Sequence, residues 1–345
     1  MPTTLEFASL PALARGFALL GSGGGGATTM LELALRDPAE WPMTVHDVEE
    51  LDPSLPCLGA AFVGSAMLLA ERLPSSAPFA PLIAAAERWL GCRVPVVCSV
   101  EGGGLNGLAP FTLAGERIVV DADLTGRAVP SLDQMSLLVD GVPGVIVTCD
   151  TGAGGVALVQ TDRALDIERV VRAATIQAGG AGGMVFAGFT VGELREHAIV
   201  GNSARALSLG TAFLSSESGS LAELAQALGG RLLAEGRISA IDADARDQHV
   251  TTFAIDGTAG EVHRLVARSE NLALMSDGHL AAAAPDVIVV LDAISRDILE
   301  VPELSKARHV AVIQLDAPAW WSRSPDRLRY VVPSAYGLDE LDGVA

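Results

Sequence analysis

Residues 94–110 read VPVVCSVEGGGLNGLAP, a run of β-branched residues that ends in a glycine-rich polar loop. The run Val94–Val100 is bounded by glycine and proline, which is typical of a buried strand. Arg117–Ala122 is a second run of this kind, and Pro81–Leu90 has the apolar spacing of an amphipathic helix. Strands that alternate with helices predict an α/β domain.

The same alternation continues on both sides of this stretch. Further strands are predicted at Met43–Val45, Ala60–Gly64, Gly144–Cys149 and Val156–Gln160. Asp166–Gln177 carries one apolar stripe and predicts a helix. We place a domain boundary near residue 165. Residues 1–165 are then an α/β domain with a mixed sheet, and residues 166–345 a C-terminal α+β domain.

The second half changes from helical to strand-like signals. One helix is predicted from about Val191 to Leu209. Ser220 and Glu223 form a capping box that opens another helix, which Gly229 and its neighbour close. From Arg231 onward, short strand-like segments alternate with turns. They predict a mostly antiparallel, β-rich element inside the second domain.

Polar residues follow two neighbouring predicted strands. Glu101 and Asn106 come after the first strand, and Asp121, Asp123 and Arg127 come after the second. Because ligands of α/β sheets bind beyond the carboxyl ends of strands, we expect these side chains at one crevice. Neighbouring carboxylates repel, which raises the pKa of one of them. Such a cluster suits general acid–base chemistry or a divalent metal ion. The alternative is structural: the aspartates cap turns and Arg127 neutralises them.

A second glycine run lies at residues 20–31, LGSGGGGATTML, and fits the G-x-G-x-x-G pattern of dinucleotide-binding loops. In those loops a strand leads into the first glycine. Here the preceding apolar residues have helical spacing: Leu10, Leu13, Phe17 and Leu20. The interpretation as a nicotinamide-dependent oxidoreductase therefore holds only if a strand precedes the loop. A plain turn between helices is the second interpretation. The third is a loop whose N–H groups line a substrate site, through Gly23, Gly24, Gly25 and Gly26.

The composition of the chain argues against binding to nucleic acid or to a membrane. The chain has 345 residues, a formal net charge of −19 and a mean hydropathy of +0.39. The negative charge argues against nucleic acid and against an anionic membrane surface. No apolar run is long enough to span a bilayer and no leader is recognised, so we expect a cytoplasmic protein. Four cysteines without C-x-x-C spacing are expected to be free thiols.

Taken together, the motifs resemble those of the S-methyl thiohydantoin desulfurase family, some of whose members are encoded beside hydantoinase subunits. The motifs that carry the resemblance are LLGSGGGG (19–26), EGGGLNGLAP (101–110), VVDADLTGRAVP (119–130), DVIVVLDA (286–293) and PSAYGLD (333–339). They occur in order from about Leu19 to Leu338. The resemblance implies an N-terminal α/β domain, a C-terminal domain and chemistry on a five-membered thiohydantoin or hydantoin-like ring.

The resemblance also assigns residues. The acidic-glycine-asparagine motif of the family falls on Glu101, Gly103, Gly104 and Asn106, and its aspartate-arginine motif on Asp121, Asp123, Gly126, Arg127 and Pro130. The implied reaction is hydrolytic: water adds at C2 of the ring and a sulfur group leaves. Glu101 or Asp123 would be the general base. Arg127 and the glycine-loop N–H groups would hold negative charge, and Asn106 would orient the ring.

Two positions depart from the family pattern. Ala27 and Ser131 stand where members commonly carry acidic residues. These departures keep a second interpretation open, a non-catalytic ligand-binding or accessory subunit of a hydantoinase-type enzyme. A homo-oligomer and a divalent metal cofactor also stay open.

Overall fold

The computed structural model describes residues 2–71, 77–216, 218–243, 247 and 249–341. Its strands are β1 Thr3–Leu5, β2 Met43–His46, β3 Pro56–Gly64, β4 Val96–Ser99, β5 Ile118–Val120, β6 Ala122–Asp123, β7 Ile146–Asp150, β8 Val156–Gln160, β9 Ala181–Thr190, β10 Ile199–Val200, β11 Arg231–Ala243, β12 Thr251–Gly257, β13 Val262–Ala267, β14 Asn271–Ser276, β15 His279–Ala283, β16 Val287–Asp292, β17 Ile298–Leu299 and β18 His309–Leu315. Its helices are α1 Leu10–Leu20, α2 Thr29–Ala34, α3 Ala66–Ala70, α4 Ala80–Leu90, α5 Leu105–Leu108, α6 Ser136–Val139, α7 Ala164–Gln177, α8 Val191–His197, α9 Asn202–Ser215, α10 Leu221–Ala227, α11 Ala319–Ser322 and α12 Pro325–Leu328. Among these described helices, none has the length and apolar character that a membrane crossing needs.

The N-terminal sheet is mixed and has the order β1-β2-β5-β4-β3-β9-β7-β8. Strands β2, β5, β4 and β3 are parallel, and the other pairings in the sheet are antiparallel. The carboxyl ends of β3 and β4 therefore lie at the same edge. The loops that leave this edge carry the polar residues discussed below.

The C-terminal sheet is antiparallel throughout and has the order β15-β14-β13-β12-β11-β18-β16-β17. This is the β-rich element that the turn-separated segments predict. The predicted fold class, an α/β part with a mixed sheet followed by a sheet-rich α+β part, is confirmed. The boundary near residue 165 stays a prediction, and β9, which follows it in sequence, lies in the N-terminal sheet.

Two expectations need correction. The single helix predicted from Val191 to Leu209 is two helices, α8 and α9, separated by strand β10. Gly201 lies between β10 and α9 with φ +80°, a left-handed conformation that ends regular structure. The glycine-rich segment at 178–190 has no periodic pattern that predicts an element, yet it contains β9, which pairs with β3 and β7.

Helix α1 joins the two halves of the chain. Phe17 of α1 shares one buried core with Leu58 of β3 and Ile313 of β18. A Cβ added at Gly16 would lie 1.7 Å from the backbone oxygen of Ala206 in α9, so α1 and α9 pack backbone against backbone. This contact fixes the end of α1, from which the first glycine run continues.

Candidate active site

A cavity of about 310 Å³ opens at the carboxyl ends of β3 and β4. Its wall includes Gly23, Gly24, Gly25, Gly26, Phe62, Ser65, Glu101, Asn106, Val129, Ser131, Arg172, Arg268, Glu270 and Glu300. The size lies at the lower end of the range for small-molecule sites. Residues from both halves of the chain contribute, so the cavity lies between the two domains.

The two glycine runs pack directly against each other. Leu105 donates its N–H to the carbonyl oxygens of Gly25 and Gly26, at 3.0 and 2.9 Å. Gly104 has φ +59°, and a Cβ there would lie 2.4 Å from the carbonyl carbon of Gly25. Any side chain at this contact would separate the loops. Gly103 and Gly104 therefore support the first loop from behind, whereas residues 23–26 form the cavity wall.

The second domain holds the other side of the first loop. Ser22 has φ +51°, and its Oγ accepts a hydrogen bond from the N–H of Ile288 at 3.0 Å. The N–H of Asn271 donates to the backbone oxygen of Ser22 at 2.7 Å. The N–H of Val301 donates to the backbone oxygen of Gly23, also at 2.7 Å. The loop is thus fixed between the domains in one conformation.

Three N–H groups of the first loop have no partner among the described residues. Within the part of the chain that the structure describes, the N–H groups of Gly23, Gly25 and Gly26 donate to no other group. These residues line the cavity. A cluster of free N–H groups is suited to an oxyanion or a ring carbonyl oxygen.

Glu101 is a buried carboxyl on the cavity wall. Oε1 accepts from the N–H of Val129 and Oε2 from Nδ2 of Asn106, both at 2.9 Å. Asn106 is itself held by β3, because its Oδ1 accepts from the N–H of Phe62 at 2.7 Å. Burial raises the pKa of Glu101 to about 7, and the two hydrogen bonds oppose that rise. A carboxylate with a pKa near 7 is suited to general-base catalysis.

Glu270 is a site residue that the sequence analysis missed. It lies in the turn between β13 and β14, is 3% exposed and lines the cavity. Burial raises its pKa to about 8, and the charge of Glu101 adds to the rise. The segment RSEN that contains it (268–271) matches no motif. The side chain of Glu270 packs beside Gly24 of the first glycine run, which lies more than 240 residues away in sequence.

Asp121 and Asp123 lie outside the described wall of this cavity. Asp121 accepts from the N–H groups of Ser203 at 2.7 Å and Ala204 at 3.2 Å, at the start of α9. Oδ1 of Asp123 accepts from the N–H of Thr125 at 2.8 Å and closes a turn. Burial raises the pKa of Asp121, and it raises that of Asp123 to about 7. Both contacts agree with the structural alternative, and a catalytic role for either residue stays a prediction.

Arg127 is buried, and its side chain binds backbone oxygens of the second domain instead of pairing with a described carboxylate. Its Nε donates to the backbone oxygen of Ala128 at 2.9 Å, and Nη1 donates to the backbone oxygens of Pro285, at 3.0 Å, and Asp286. It forms no ion pair within 4.0 Å with a described carboxylate. Its positive charge nonetheless lowers the pKa of Glu101 and of Glu270.

The structure also locates the remaining predictions. Ser131 lines the cavity, whereas Ala27 is exposed and outside its described wall. Among the described residues, no three His, Cys, Asp or Glu side chains are grouped so that they could hold a metal ion. The described cysteines are free thiols: Cys57, Cys92, Cys98 and Cys149.

The first glycine run follows helix α1, not a strand. The strand that a nicotinamide-binding loop needs before its first glycine is therefore replaced by a helix. Asp47, the acidic residue that a dinucleotide pattern would place on a ribose, instead accepts from the N–H of Glu49 at 3.0 Å in a capping box with Glu50. The loop is a helix–turn–helix connection that lines a cavity.

Comparisons with known proteins agree with this architecture. A protein from Chromobacterium violaceum, solved by X-ray crystallography, superimposes with a TM-score of 0.81 at 24% identity and covers 99% of each chain. At this identity the likeness shows the fold. No curated protein sequence matches the chain. The model of the S-Me-THD-like N-terminal domain matches residues 8–161, and that of the S-Me-THD-like C-terminal domain matches residues 161–344. The chain therefore belongs to the S-methyl thiohydantoin desulfurase-like family.

Proposed function

We propose that this chain is a hydrolase-like desulfurase of a thiohydantoin or a related hydantoin-like cyclic amide. Water adds at C2 of the ring, and a sulfur group leaves. One observation carries this proposal: a buried carboxylate, Glu101, lies on the same cavity wall as a fixed loop with free N–H groups. Glu101 supplies a base, and the loop supplies donors for the charge that develops on the ring.

Of the two candidate bases, Glu101 is favoured over Asp123 because it lines the cavity. Asn106 lines the wall, and because its amide donates to Glu101 and to Phe62, it positions the base. Arg127 acts from behind the wall through its charge. In this scheme no proton or bond passes through a metal ion.

The test is release of hydrosulfide or methanethiol from a set of thiohydantoins, with and without a chelator. We expect release from at least one ring, unchanged by the chelator, and a loss of about 10²–10⁴-fold in Glu101→Gln. Glu116→Gln, at an exposed position, is the matched control. Release abolished by the chelator would contradict the acid–base scheme. No release from any ring would favour the accessory-subunit interpretation, and a larger hydrolase should then co-purify.

A further inference from the structure

The two buried glutamates of the cavity differ in how their oxygens are satisfied. Each carboxyl oxygen of Glu101 accepts one N–H group, as an ionised carboxylate requires. Oε2 of Glu270 is buried and has no hydrogen-bond partner among the described residues. An ionised carboxylate without donors costs far more to bury than a neutral carboxylic acid does. The geometry therefore fits an ionised Glu101 beside a protonated Glu270.

Glu270 is held in a nearly closed position at the cavity wall. The residue is 3% exposed and lines the cavity. Its side chain lies against Gly24, where a Cβ would be 2.6 Å from Oε1 of Glu270 and 2.8 Å from the backbone oxygen of Ser269, so a larger residue would crowd this contact. The carboxyl and the free N–H groups of the loop thus reach the same part of the cavity.

We propose that Glu270 is the general acid that protonates the leaving sulfur, while Glu101 is the base that activates water. This inference rests on the proposed function. Two carboxyls whose surroundings separate their protonation states supply acid and base at the same pH. The raised pKa of Glu270, to about 8, agrees with this division, because burial and the charge of Glu101 both favour its protonated form.

The step balances without another reactant. Glu101 takes one proton from water as the oxygen bonds to C2, and the electron pair of the C2–N double bond moves onto the ring nitrogen and its adjacent carbonyl. The loop N–H groups stabilise that charge. The C2–N double bond then re-forms, the C2–S bond breaks, and sulfur takes the proton of Glu270 and leaves as a thiol. The hydroxyl at C2 tautomerises to the carbonyl, and exchange of one proton from Glu101 to Glu270 restores the pair.

The roles can be separated with two leaving groups. The substrates are hydantoin-type rings that carry a methylthio or a phenylthio group at C2. Thiophenol is a stronger acid than methanethiol, so the phenylthio group needs less help from a proton donor. We expect Glu270→Gln to lose about 10²–10⁴-fold in kcat with the methylthio ring and less than about 10-fold with the phenylthio ring.

Glu101→Gln is the comparison variant, because attack by water is common to both rings. It should lose the same factor with each substrate, and Glu116→Gln should lose nothing with either. An equal loss in Glu270→Gln on both rings, or no loss, would overturn the assignment of Glu270 while the proposed function stands. Turnover of neither ring by the unmodified protein would overturn the proposed function and the assignment together.

A second measurement does not need turnover. Infrared spectroscopy at pH 7 detects the carbonyl stretch of a protonated carboxyl group. We expect part of this signal to disappear in Glu270→Gln and to persist in Glu116→Gln. Glutamine is neutral and has the shape of a protonated glutamate, so the variant should fold. An unchanged signal in folded Glu270→Gln would show that Glu270 is ionised and overturn the inference.

Discussion

Nδ2 of Asn106 lies 2.9 Å from Oε2 of Glu101, and the same amide exchanges two hydrogen bonds with the backbone of Phe62. Asn106 therefore ties the carboxyl after β4 to the neighbouring strand β3. It also supplies one of the two donors that favour the ionised form of Glu101. The position and the charge of the proposed base depend on this single side chain.

Replacement of Asn106 with aspartate should raise the pKa of Glu101. Oδ1 can still accept from Phe62, but the donor to Glu101 is lost and a negative charge takes its place. We expect the acidic limb of the kcat/KM profile to move to higher pH by about one unit or more. An acidic limb at the same pH in this variant would show that another group is the base.

The pH profile of the unmodified protein should be a narrow bell. The proposed scheme requires ionised Glu101, whose pKa is raised to about 7, and protonated Glu270, whose pKa is raised to about 8. The two groups interact, so the limbs report the pair rather than one residue each. We expect a maximum between about pH 7 and 8. A profile that stays flat from pH 6 to 9 would contradict this pairing.

Stability should also fall as the pH rises toward 9. Burial raises the pKa of Glu270 from 4.5 to about 8, so the folded protein binds more protons than the unfolded chain between these values. The free energy of unfolding then decreases with increasing pH over this window. Denaturant titrations at pH 6 and pH 9 should show a smaller decrease in Glu270→Gln than in Glu116→Gln. An equal decrease would place the proton uptake elsewhere.

Substitution at Gly104 should lower the free energy of unfolding mainly because it disrupts the contact between the two glycine runs. Gly104→Ala combines a left-handed φ with a Cβ 2.4 Å from Gly25, and we expect a loss of at least about 2 kcal/mol. Gly91 has φ +70° but open space around it, so Gly91→Ala should lose about 1 kcal/mol. Gly115→Ala has neither penalty and should be neutral. Equal losses at Gly104 and Gly91 would show that the loops can separate at no cost.

Local periodicity predicted much of this fold. Val94–Val100 and Arg117–Ala122 contain β4 and β5, and the helical spacing before the first glycine run predicted α1. These elements have strong apolar patterns within a few residues, which is the information that sequence reading uses. Strand β9 lacked such a pattern, because Gly182 and Gly183 weaken the strand signal. The position of β9 depends on close packing against β7, since a Cβ added at Gly182 would lie 3.0 Å from Cβ of Asp150.

The site was predictable to the extent that it follows strand ends. Glu101 and Asn106 line the same cavity, because Glu101 follows β4 and Asn106 lies in α5, the next helix along the chain. Asp121 and Asp123 follow β5 and nevertheless turn toward helix α9 and a local turn. Glu270 could not be found from local sequence, since its role depends on a domain contact between positions about 250 residues apart, such as Ser22 and Asn271.

A substitution at Asp121 tests whether the aspartates have a structural role and Glu101 a catalytic one. The side chain of Asp121 accepts hydrogen bonds from the N–H groups of Ser203 and Ala204 at the start of α9. Helix α9 packs on α1, and the first glycine run follows α1. Asp121→Ala should therefore lower the free energy of unfolding by about 1 kcal/mol, as loss of a helix cap does. Its turnover per folded molecule should stay close to that of the unmodified protein, whereas Glu101→Gln should lose turnover. Chemical denaturation and thiol release on the same preparations give both numbers. Loss of turnover in Asp121→Ala without loss of stability would mean that this carboxylate takes part in the chemistry, as the family motif implies.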